Sequence, residues 1–349
     1  MDFLPHQTAA ALLGLAGGLV LGLAGRLAHF CTLGALESAI YGHDQTRLRM
    51  WGIVLGVSIA GVHMLAATGH IDLSLTIYHQ IRWNPLASIA GGAIFGYGMA
   101  LAGNCGYSAL TRFGGGDLKA MVMIVVMAVF GFITLNGPLS RLRLRLFPEE
   151  PAEGLNSIAH DLAAILPFSP LLIAIAIATA FFLWGISHEG LRRDPARIFW
   201  AAAVGGAIIS AFWGTSYLNF LSFGETFVQG HTFVAPLGRT LLYLMTSSAG
   251  GLEFSVGSVI GVMAGAFIGS WIRQDFQWEA CEDPRELGRQ VTGAALMGIG
   301  GIVAMGCTIG QGVSGFATLA WSAPVTLISI SAGALLGLRH LLEGFEPQE

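Results

Sequence analysis

The sequence predicts an all-α polytopic membrane protein with about nine transmembrane helices and four short re-entrant helices. Of its 349 residues, 54% are hydrophobic and only 11% are charged, and the mean hydropathy is +0.67. Soluble domains have about 25% charged residues, so this chain has too few charges to cover a surface that faces water. Apolar stretches of the length that crosses a hydrocarbon core recur along it. Its 49 glycines favour close packing between membrane helices.

The first apolar stretch is expected to be a retained helix. Its only nearby charge is Asp2, whereas a cleaved signal peptide begins with a basic segment. Nine full spans are predicted: 8–28, 50–68, 85–103, 119–138, 168–187, 197–213, 253–272, 289–306 and 322–338. Four short segments, rich in glycine and small polar residues, directly follow a span: 30–41, 104–115, 214–224 and 308–317. A weaker segment, 236–248, is either an interfacial helix or a tenth span.

The basic residues predict the orientation. If each short segment returns to the side on which it began, twelve of the 17 Lys and Arg residues collect on one side. Cytoplasmic loops carry the excess of basic residues, so we expect the N-terminus outside and the C-terminus in the cytoplasm. Counting 236–248 as a span would remove this asymmetry. The net charge of −4, without any basic run, gives no indication of a nucleic-acid partner.

The same topology predicts an internal inverted repeat within one transporter domain, 1–349. The halves are approximately 8–138 and 197–338, linked by the span 168–187, and each has short segments after its first and third spans. A nine-residue spacing recurs in the four predicted places: Gly22–Cys31, Gly96–Cys105, Gly298–Cys307 and Gly205–Gly214. Transporters build sites near the midplane from such interrupted helices. Irregular backbone at that depth must be buried in protein or line a wet cavity.

Three of the four cysteines, Cys31, Cys105 and Cys307, share one register of this repeat and each opens a short glycine-rich segment. A cysteine is usually an inert small hydrophobe, and Cys281, outside the pattern, is expected to be incidental. The absence of a C-x-x-C pair leaves a zinc ribbon or a thioredoxin-like site without support. Helix N-termini attract anions, and a protonated thiol is a weak, polarizable donor. The set therefore favours a pathway for an anion with a terminal sulfur.

Other polar residues have weaker indications. Asn104, Gln311 and Ser314 lie beside the cysteines and are candidates to line the pathway. Arg112 and Asp117 are either a gate or inner anchor for the anion, or a cytoplasmic side chain and the N-cap of the following span. The latter interpretation is preferred.

Two further features have structural interpretations. Glu37, in a short segment, is expected to be a structural partner of a nearby arginine. A glycine series with a four-residue period marks a close helix contact and not a phosphate loop: Gly257, Gly261, Gly265 and Gly269.

The motifs "GNCGYSALTRFGGGDLKAMV" and "MGCTIGQGVSG", preceded by "HFCTLGAL", resemble those of the YeeE/YedE family of inner-membrane sulfur-compound transporters, over essentially the whole chain. The resemblance implies thiosulfate uptake through an hourglass-like protein with nine spans and short re-entrant helices. It implies a pathway in which cysteines relay the ion by S–H contacts, here Cys31, Cys105 and Cys307. It also implies a small cytoplasmic sulfur-carrier or sulfurtransferase protein as partner.

We therefore expect a thiosulfate permease in the inner membrane, in contact with lipid and without enzymatic activity, metal or cofactor. The membrane potential opposes a dianion by about 2.3 kcal/mol per charge per 100 mV, so downstream consumption or co-transported cations must drive entry. Three alternatives remain. They are transport of another soft sulfur or selenium anion, a membrane thiol–disulfide oxidoreductase with thiols close enough to bond, and an assembly subunit with inert cysteines.

Overall fold

The computed structural model describes residues 5–247, 251–280 and 283–343, and in this part the chain forms α-helices and no β-strand. This confirms the predicted all-α polytopic membrane fold. The helices are α1 His6–Leu27, α2 Thr32–Ile40, α3 Thr46–Ala67, α4 Ile77–Gln80, α5 Pro85–Ala102, α6 Gly106–Gly114, α7 Leu118–Leu135, α8 Ser140–Leu146, α9 Ile158–Ile165, α10 Pro170–Ile186, α11 Glu189–Arg192, α12 Pro195–Leu221, α13 Ala235–Thr246, α14 Phe254–Arg273, α15 Pro284–Val303 and α16 Ser322–Glu343. A π-helix, Gly310–Gly315, lies between α15 and α16.

A long helix covers each of the nine predicted spans, namely α1, α3, α5, α7, α10, α12, α14, α15 and α16. Seven stretches of the described helices are long and apolar enough to cross a membrane. The pair α9 and α10, bent by 119°, makes an eighth if it is one span. Helix α15 has 20 residues but begins with a charged segment, which contains Arg285, Glu286 and Arg289. The count of nine therefore stays a prediction.

Glycines set the closest helix contacts. Helices α1 and α14 run parallel, and a Cβ at Gly257, Gly261 or Gly265 would collide with backbone carbonyls of α1. The predicted helix contact along this glycine series is confirmed. Small residues let membrane helices approach closely, which strengthens their van der Waals packing. Helices α5 and α16 pack in the same parallel manner, with Gly96 against the backbone at Ile330.

One end of the bundle is rich in ion pairs, and we call it the basic end. Helices α1 and α14 both finish there, where Arg26 pairs with Asp275 at 3.1 Å. Lys119 and Glu286, at the starts of α7 and α15, approach to 4.0 Å. Four arginines act electrostatically on His29, in the connection between α1 and α2: Arg26, Arg47, Arg197 and Arg273. We call the opposite end of the bundle the cavity end.

The prediction of a short segment at 214–224 is wrong. Helix α12 continues without a break to Leu221. Gly214 lies inside the helix against the side chain of Leu13, and the Thr215 hydroxyl donates to the Ala211 carbonyl at 2.7 Å. A glycine inside a helix costs only about 1 kcal/mol relative to alanine, which packing readily offsets.

The short helix of this fourth unit is instead α13, which the sequence left open as an interfacial helix or a tenth span. It has 12 residues, too few to cross a membrane, and it packs on α7 and α14. The connection before it, residues 222–234, enters the bundle, because Phe233 is fully buried against Tyr107. The prediction was misled by Gly214, because the sequence alone does not show whether a glycine lies inside a helix or ends it.

Candidate functional site

The three cysteines lie where long helices are interrupted. Cys31 is the N-cap of α2 and Cys105 is the N-cap of α6, both with extended backbone and without a side-chain cap. A residue in the left-handed region precedes each of them, His29 at φ 55° and Gly103 at φ 72°. Such a conformation ends a helix and redirects the chain. Each cysteine thus starts a short helix next to backbone N–H groups that no side chain caps.

The third interruption has a different construction. Met305 and Gly306 have positive φ, and Cys307 follows them ahead of the π-helix. The Gly310 N–H donates to Cys307 Sγ at 3.3 Å. The hydroxyl of Tyr78, from a distant connection, donates to the Gly310 carbonyl at 2.6 Å. A chain of two hydrogen bonds therefore links Tyr78 to the sulfur of Cys307.

The Gln311 side chain holds this interruption by hydrogen bonds on both of its polar atoms. Its Nε2 donates to the carbonyls of Ala304 and Met305, at 3.1 and 3.3 Å, and its Oε1 accepts from the Ser322 hydroxyl. These carbonyls end α15 and have no partner in that helix. The neighbouring Ser314 hydroxyl donates to the His231 carbonyl at 2.7 Å. Both side chains are fully buried and bond to protein groups.

The three thiols lie in one region of the bundle. Cys105 interacts electrostatically with both Cys31 and Cys307. The Ser108 hydroxyl donates to Cys31 Sγ at 3.4 Å, and Thr232 Oγ1 lies 3.9 Å from Cys307 Sγ. All three are free thiols; Cys105 and Cys307 are 1% exposed, and Cys31 is half-buried. The three interruptions thus meet in one region of the bundle, where Ser108, three residues after Cys105 in α6, bonds to Cys31.

Each thiol has a buried polar neighbour in the chain. The side-chain oxygens of Thr32, Asn104 and Thr308 are buried and have no hydrogen-bond partner among the described residues. Thr308 also lies close to Cys105, although without hydrogen-bonding geometry. Buried polar atoms without partners are rare in native proteins and need an explanation. These hydroxyl and amide groups beside the thiols are therefore free to form hydrogen bonds with a polar ligand.

Four buried aromatic rings pack together next to the thiol region. Phe30, next to Cys31, stacks on Trp51 with ring centroids 5.1 Å apart and meets the edge of Tyr107 at 6.3 Å. Phe233 lies 5.6 Å from Tyr107 on the other side. All four rings are buried. An apolar constriction of this kind excludes water while closed.

A cavity of about 280 Å³ lies at the cavity end and reaches the region of Cys307. Thr232, Met305 and Gly306 line it, and Thr232 also contacts the Cys307 sulfur. Two arginines, Arg143 and Arg239, line its walls. The cavity therefore comes close to Cys307 and carries two arginines, each paired with a glutamate.

Comparison with known proteins identifies the family. The family model described as "Sulphur transport" matches residues 27–336. The chain belongs to this family. The sulphur-transport assignment confirms the predicted YeeE/YedE resemblance.

Two curated relatives align with this chain over most of their length. The "Thiosulfate transporter TsuA" of Escherichia coli (strain K12) is 25% identical over 343 residues, covering 92% of each chain. The "Thiosulfate transporter TsuA" of Spirochaeta thermophila (strain ATCC 700085 / DSM 6578 / Z-1203) is 24% identical over 324 residues, covering 88% of this chain and 92% of the relative.

Of the remaining predicted residues, Asp117 and Arg112 lie at the basic end of the bundle. Asp117 is the N-cap of α7, accepting from two backbone N–H groups of that helix, which confirms the preferred interpretation. Arg112 is exposed in the last turn of α6 and acts electrostatically on Glu37. The Asn104 amide donates to the Ala102 carbonyl at 3.5 Å. Cys281 lies outside the described residues.

Sequence reasoning missed Tyr78, Thr232, Ser108 and Thr308. Tyr78, in α4, bonds to the Gly310 carbonyl, and Thr232 contacts Cys307 from the connection before α13. They are 229 and 75 positions from Cys307 in the chain, and no local pattern marks them. One signal was available: Cys31 and Cys307 are both followed directly by a threonine. Among the described residues, no three His, Cys, Asp or Glu side chains converge as ligands for a metal ion.

Proposed function

We propose that this protein is an inner-membrane permease that imports thiosulfate past Cys307, Cys105 and Cys31. The observation that carries the proposal is that three free thiols, each at a helix interruption, lie in one region of the bundle, where Ser108 of α6 bonds to Cys31. The names of the two relatives support thiosulfate as the substrate. A permease without enzymatic activity fits a protein whose central feature is a chain of thiols.

The order of the thiols follows from their surroundings. Cys307 lies next to the cavity through Thr232, Cys105 is fully buried, and Cys31 is half-buried two residues after His29, which four arginines surround. The terminal sulfur of thiosulfate accepts weak S–H hydrogen bonds, and each thiol releases it readily because such bonds are weak. The arginines at the basic end then receive the departing dianion.

The described conformation is closed at its centre. Phe30 packs against Trp51 and Tyr107 there, and Cys105 is only 1% exposed. Passage of the ion therefore requires these rings to part. An apolar gate that opens for the substrate prevents a permanent water path between the two sides.

The packing supports inverted halves at about 8–138 and 197–338, linked by α10. If α1, α3, α5 and α7 correspond to α12, α14, α15 and α16, the contact of α1 with α14 repeats as α12 with α3. The contact of α5 with α16 repeats as α15 with α7, and α2 on α3 repeats as α13 on α14. The four glycines of the nine-residue spacing all lie in these repeated contacts: Gly22, Gly205, Gly96 and Gly298.

We place the basic end in the cytoplasm, with the N-terminus outside and the C-terminus inside, because cytoplasmic loops carry the excess of Arg and Lys. The cavity end then faces the periplasm and receives the substrate. A small sulfur-carrier or sulfurtransferase protein at the basic end would consume the imported sulfur, which provides a driving force against the membrane potential. Lipid surrounds the bundle.

The proposal is tested by uptake of radiolabelled thiosulfate into cells that depend on this protein for their sulfur. We expect saturable uptake that unlabelled thiosulfate abolishes and that disappears when all three cysteines are replaced by alanine. Full uptake by that triple variant would contradict the cysteine pathway. Stronger competition by a selenium oxyanion or sulfide than by thiosulfate would favour another soft anion. A disulfide among the three thiols that forms and breaks during turnover would favour the oxidoreductase.

A further inference from the structure

The cavity at the cavity end has a charged part as well as the part that lies next to Cys307. Arg143, Glu149 and Arg239 line its walls, while Thr232, Met305 and Gly306 form the part next to Cys307. Charged side chains therefore occupy one part of the cavity and a sulfur-bearing group lies behind the other. A ligand that fits both must have a hard anionic end and a soft end.

Arg143 has the character of a binding residue. Its side chain is only 10% exposed, and one terminal nitrogen pairs with Glu149. Its Nε is buried and has no hydrogen-bond partner among the described residues. A guanidinium offers five donors in a fixed fork that matches the oxygens of carboxylates and tetrahedral oxyanions. A buried arginine with a vacant donor that lines a cavity is suited to an oxyanion.

Arg239 supplies a second positive charge. It lines the same cavity and pairs at 3.3 Å with Glu253, which is not part of the cavity wall. Its side chain is 38% exposed, so solvent screens it more than Arg143. Arg239 therefore attracts an anion into the cavity, whereas Arg143 has the geometry to hold it by charge-assisted hydrogen bonds.

We propose that this cavity is a capture site in which Arg143, with help from Arg239, holds the three oxygens of thiosulfate while its terminal sulfur faces Cys307. The inference rests on the proposed function and adds the recognition of the oxyanion end. Thr232, which lines the cavity and lies 3.9 Å from Cys307 Sγ, marks where the ion passes from the arginines to the thiols.

Glu149 is the internal competitor of the substrate at this site. Its carboxylate occupies part of the Arg143 guanidinium when the cavity holds no anion, and an arriving oxyanion takes its place. This exchange keeps the buried arginine paired at all times, which avoids the cost of an isolated buried charge. It also weakens binding, so that the ion is released towards Cys307.

One consequence concerns sulfate, which has the oxyanion end of thiosulfate but lacks the terminal sulfur. Sulfate binds in the cavity and blocks entry, but Cys307 has no sulfur tip to accept, so sulfate is not passed on. Discrimination between the two ions thus takes place after capture and not during it.

The test measures uptake KM for thiosulfate and the inhibition constant for sulfate in four variants. We expect Arg143→Gln to raise both constants about tenfold or more, because a charge-assisted hydrogen bond contributes roughly 1.5–3 kcal/mol. Glu149→Gln lowers both constants, because it removes the competing carboxylate. The matched controls, Arg82→Gln and Glu150→Gln, break an ion pair that is 72% and 62% exposed, and they leave both constants within about twofold.

A binding measurement separates this inference from the proposed function. Labelled sulfate is titrated into the purified full-length protein and into its Cys307→Ala and Arg143→Gln variants, each checked for folding by gel filtration. Cys307→Ala retains sulfate binding although it no longer transports thiosulfate, and Arg143→Gln loses binding. Unchanged sulfate binding in Arg143→Gln, or equal shifts of both constants in Arg143→Gln and Glu149→Gln, would overturn the capture site. Normal transport by Cys307→Ala would contradict the proposed pathway alone.

Discussion

The interruptions at Cys307 and Cys31 are built from the same kind of sequence but differ in structure. Cys307 is 1% exposed and precedes a π-helix that side chains from Gln311 and the distant Tyr78 hold in place. Cys31 is half-buried and caps a regular helix, with one hydrogen bond from Ser108 to its sulfur. One thiol is fixed by a network of buried hydrogen bonds, and the other lies at an open helix end.

In the proposed pathway, this difference suits the two ends to different tasks. A fixed thiol beside a cavity presents its S–H group in one geometry, which suits selection of a substrate. A half-buried thiol near four arginines suits release, because the local field attracts the anion towards water. The apparent symmetry of the sequence motifs therefore hides a functional asymmetry.

The largest expected effect comes from removing the Gln311 side chain, the clamp that bonds the two carbonyls ahead of Cys307. Gln311→Leu leaves the carbonyls of Ala304 and Met305 buried without a donor, at a cost of roughly 1–3 kcal/mol for each group. We expect thiosulfate uptake to fall more than tenfold and the melting temperature of the purified protein to drop by several degrees. Ser38→Ala in α2, which removes one hydrogen bond to Gly34 near Cys31, is the control with a small effect. Wild-type uptake by Gln311→Leu would show that the clamp is dispensable.

A fall in pH destabilises the surroundings of Tyr78, near the Cys307 interruption, through His79. Burial lowers the pKa of His79, next to Tyr78, to about 4 from its ordinary value of 6.5. Between these values the unfolded chain binds a proton that the folded protein does not, so stability falls as the pH is lowered from about 6.5 to 4, by up to about 3 kcal/mol. Between α2 and α3, hydrogen bonds from Thr46 lower the pKa of Asp44, whose stabilising effect persists at pH 5.

Melting temperatures at pH 7.5 and pH 5 check this prediction. The wild-type protein should melt lower at pH 5, and His79→Asn should reduce the difference between the two temperatures. An unchanged difference in His79→Asn would exclude His79 as its source.

A smaller effect is expected from Tyr78→Phe, which removes only the hydrogen bond to the Gly310 carbonyl. Such a bond contributes about 1 kcal/mol net. The Gly310 N–H then holds Cys307 less firmly, so we expect uptake to fall by a factor of roughly five or less. Tyr107→Phe, which removes the corresponding hydrogen bond to the Leu21 carbonyl near Cys31, is the matched variant. Its effect on uptake should be smaller, and the reverse order would contradict the assigned tasks.

The sequence predicted the helix interruptions at the cysteines because local chemistry determines them. Glycine and small polar residues after an apolar run end a helix, and Cys31, Cys105 and Cys307 all lie at such ends. The same signal failed at Gly214, where contact with Leu13 keeps α12 continuous. Whether a glycine breaks a helix depends on its tertiary neighbours, which sequence alone does not contain.

The site was predicted less completely than the fold. Gln311 and Ser314 were expected to line the pathway, but their polar atoms bond to backbone carbonyls and to Ser322. The residue type alone does not show whether a polar side chain beside a cysteine lines a pathway or bonds to the backbone. Tyr78 and Thr232 come from distant parts of the chain, so only the folded chain brings them to Gly310 and Cys307.

Uptake of labelled thiosulfate by the variant Cys105→Ala tests the proposed relay through Cys105. Alanine keeps the volume small and removes the thiol on which the proposed relay depends. We predict a loss of at least tenfold in uptake with a normal level of folded protein in the membrane, while Cys281→Ala transports normally. Uptake near the wild-type rate by a folded Cys105→Ala protein would contradict the account.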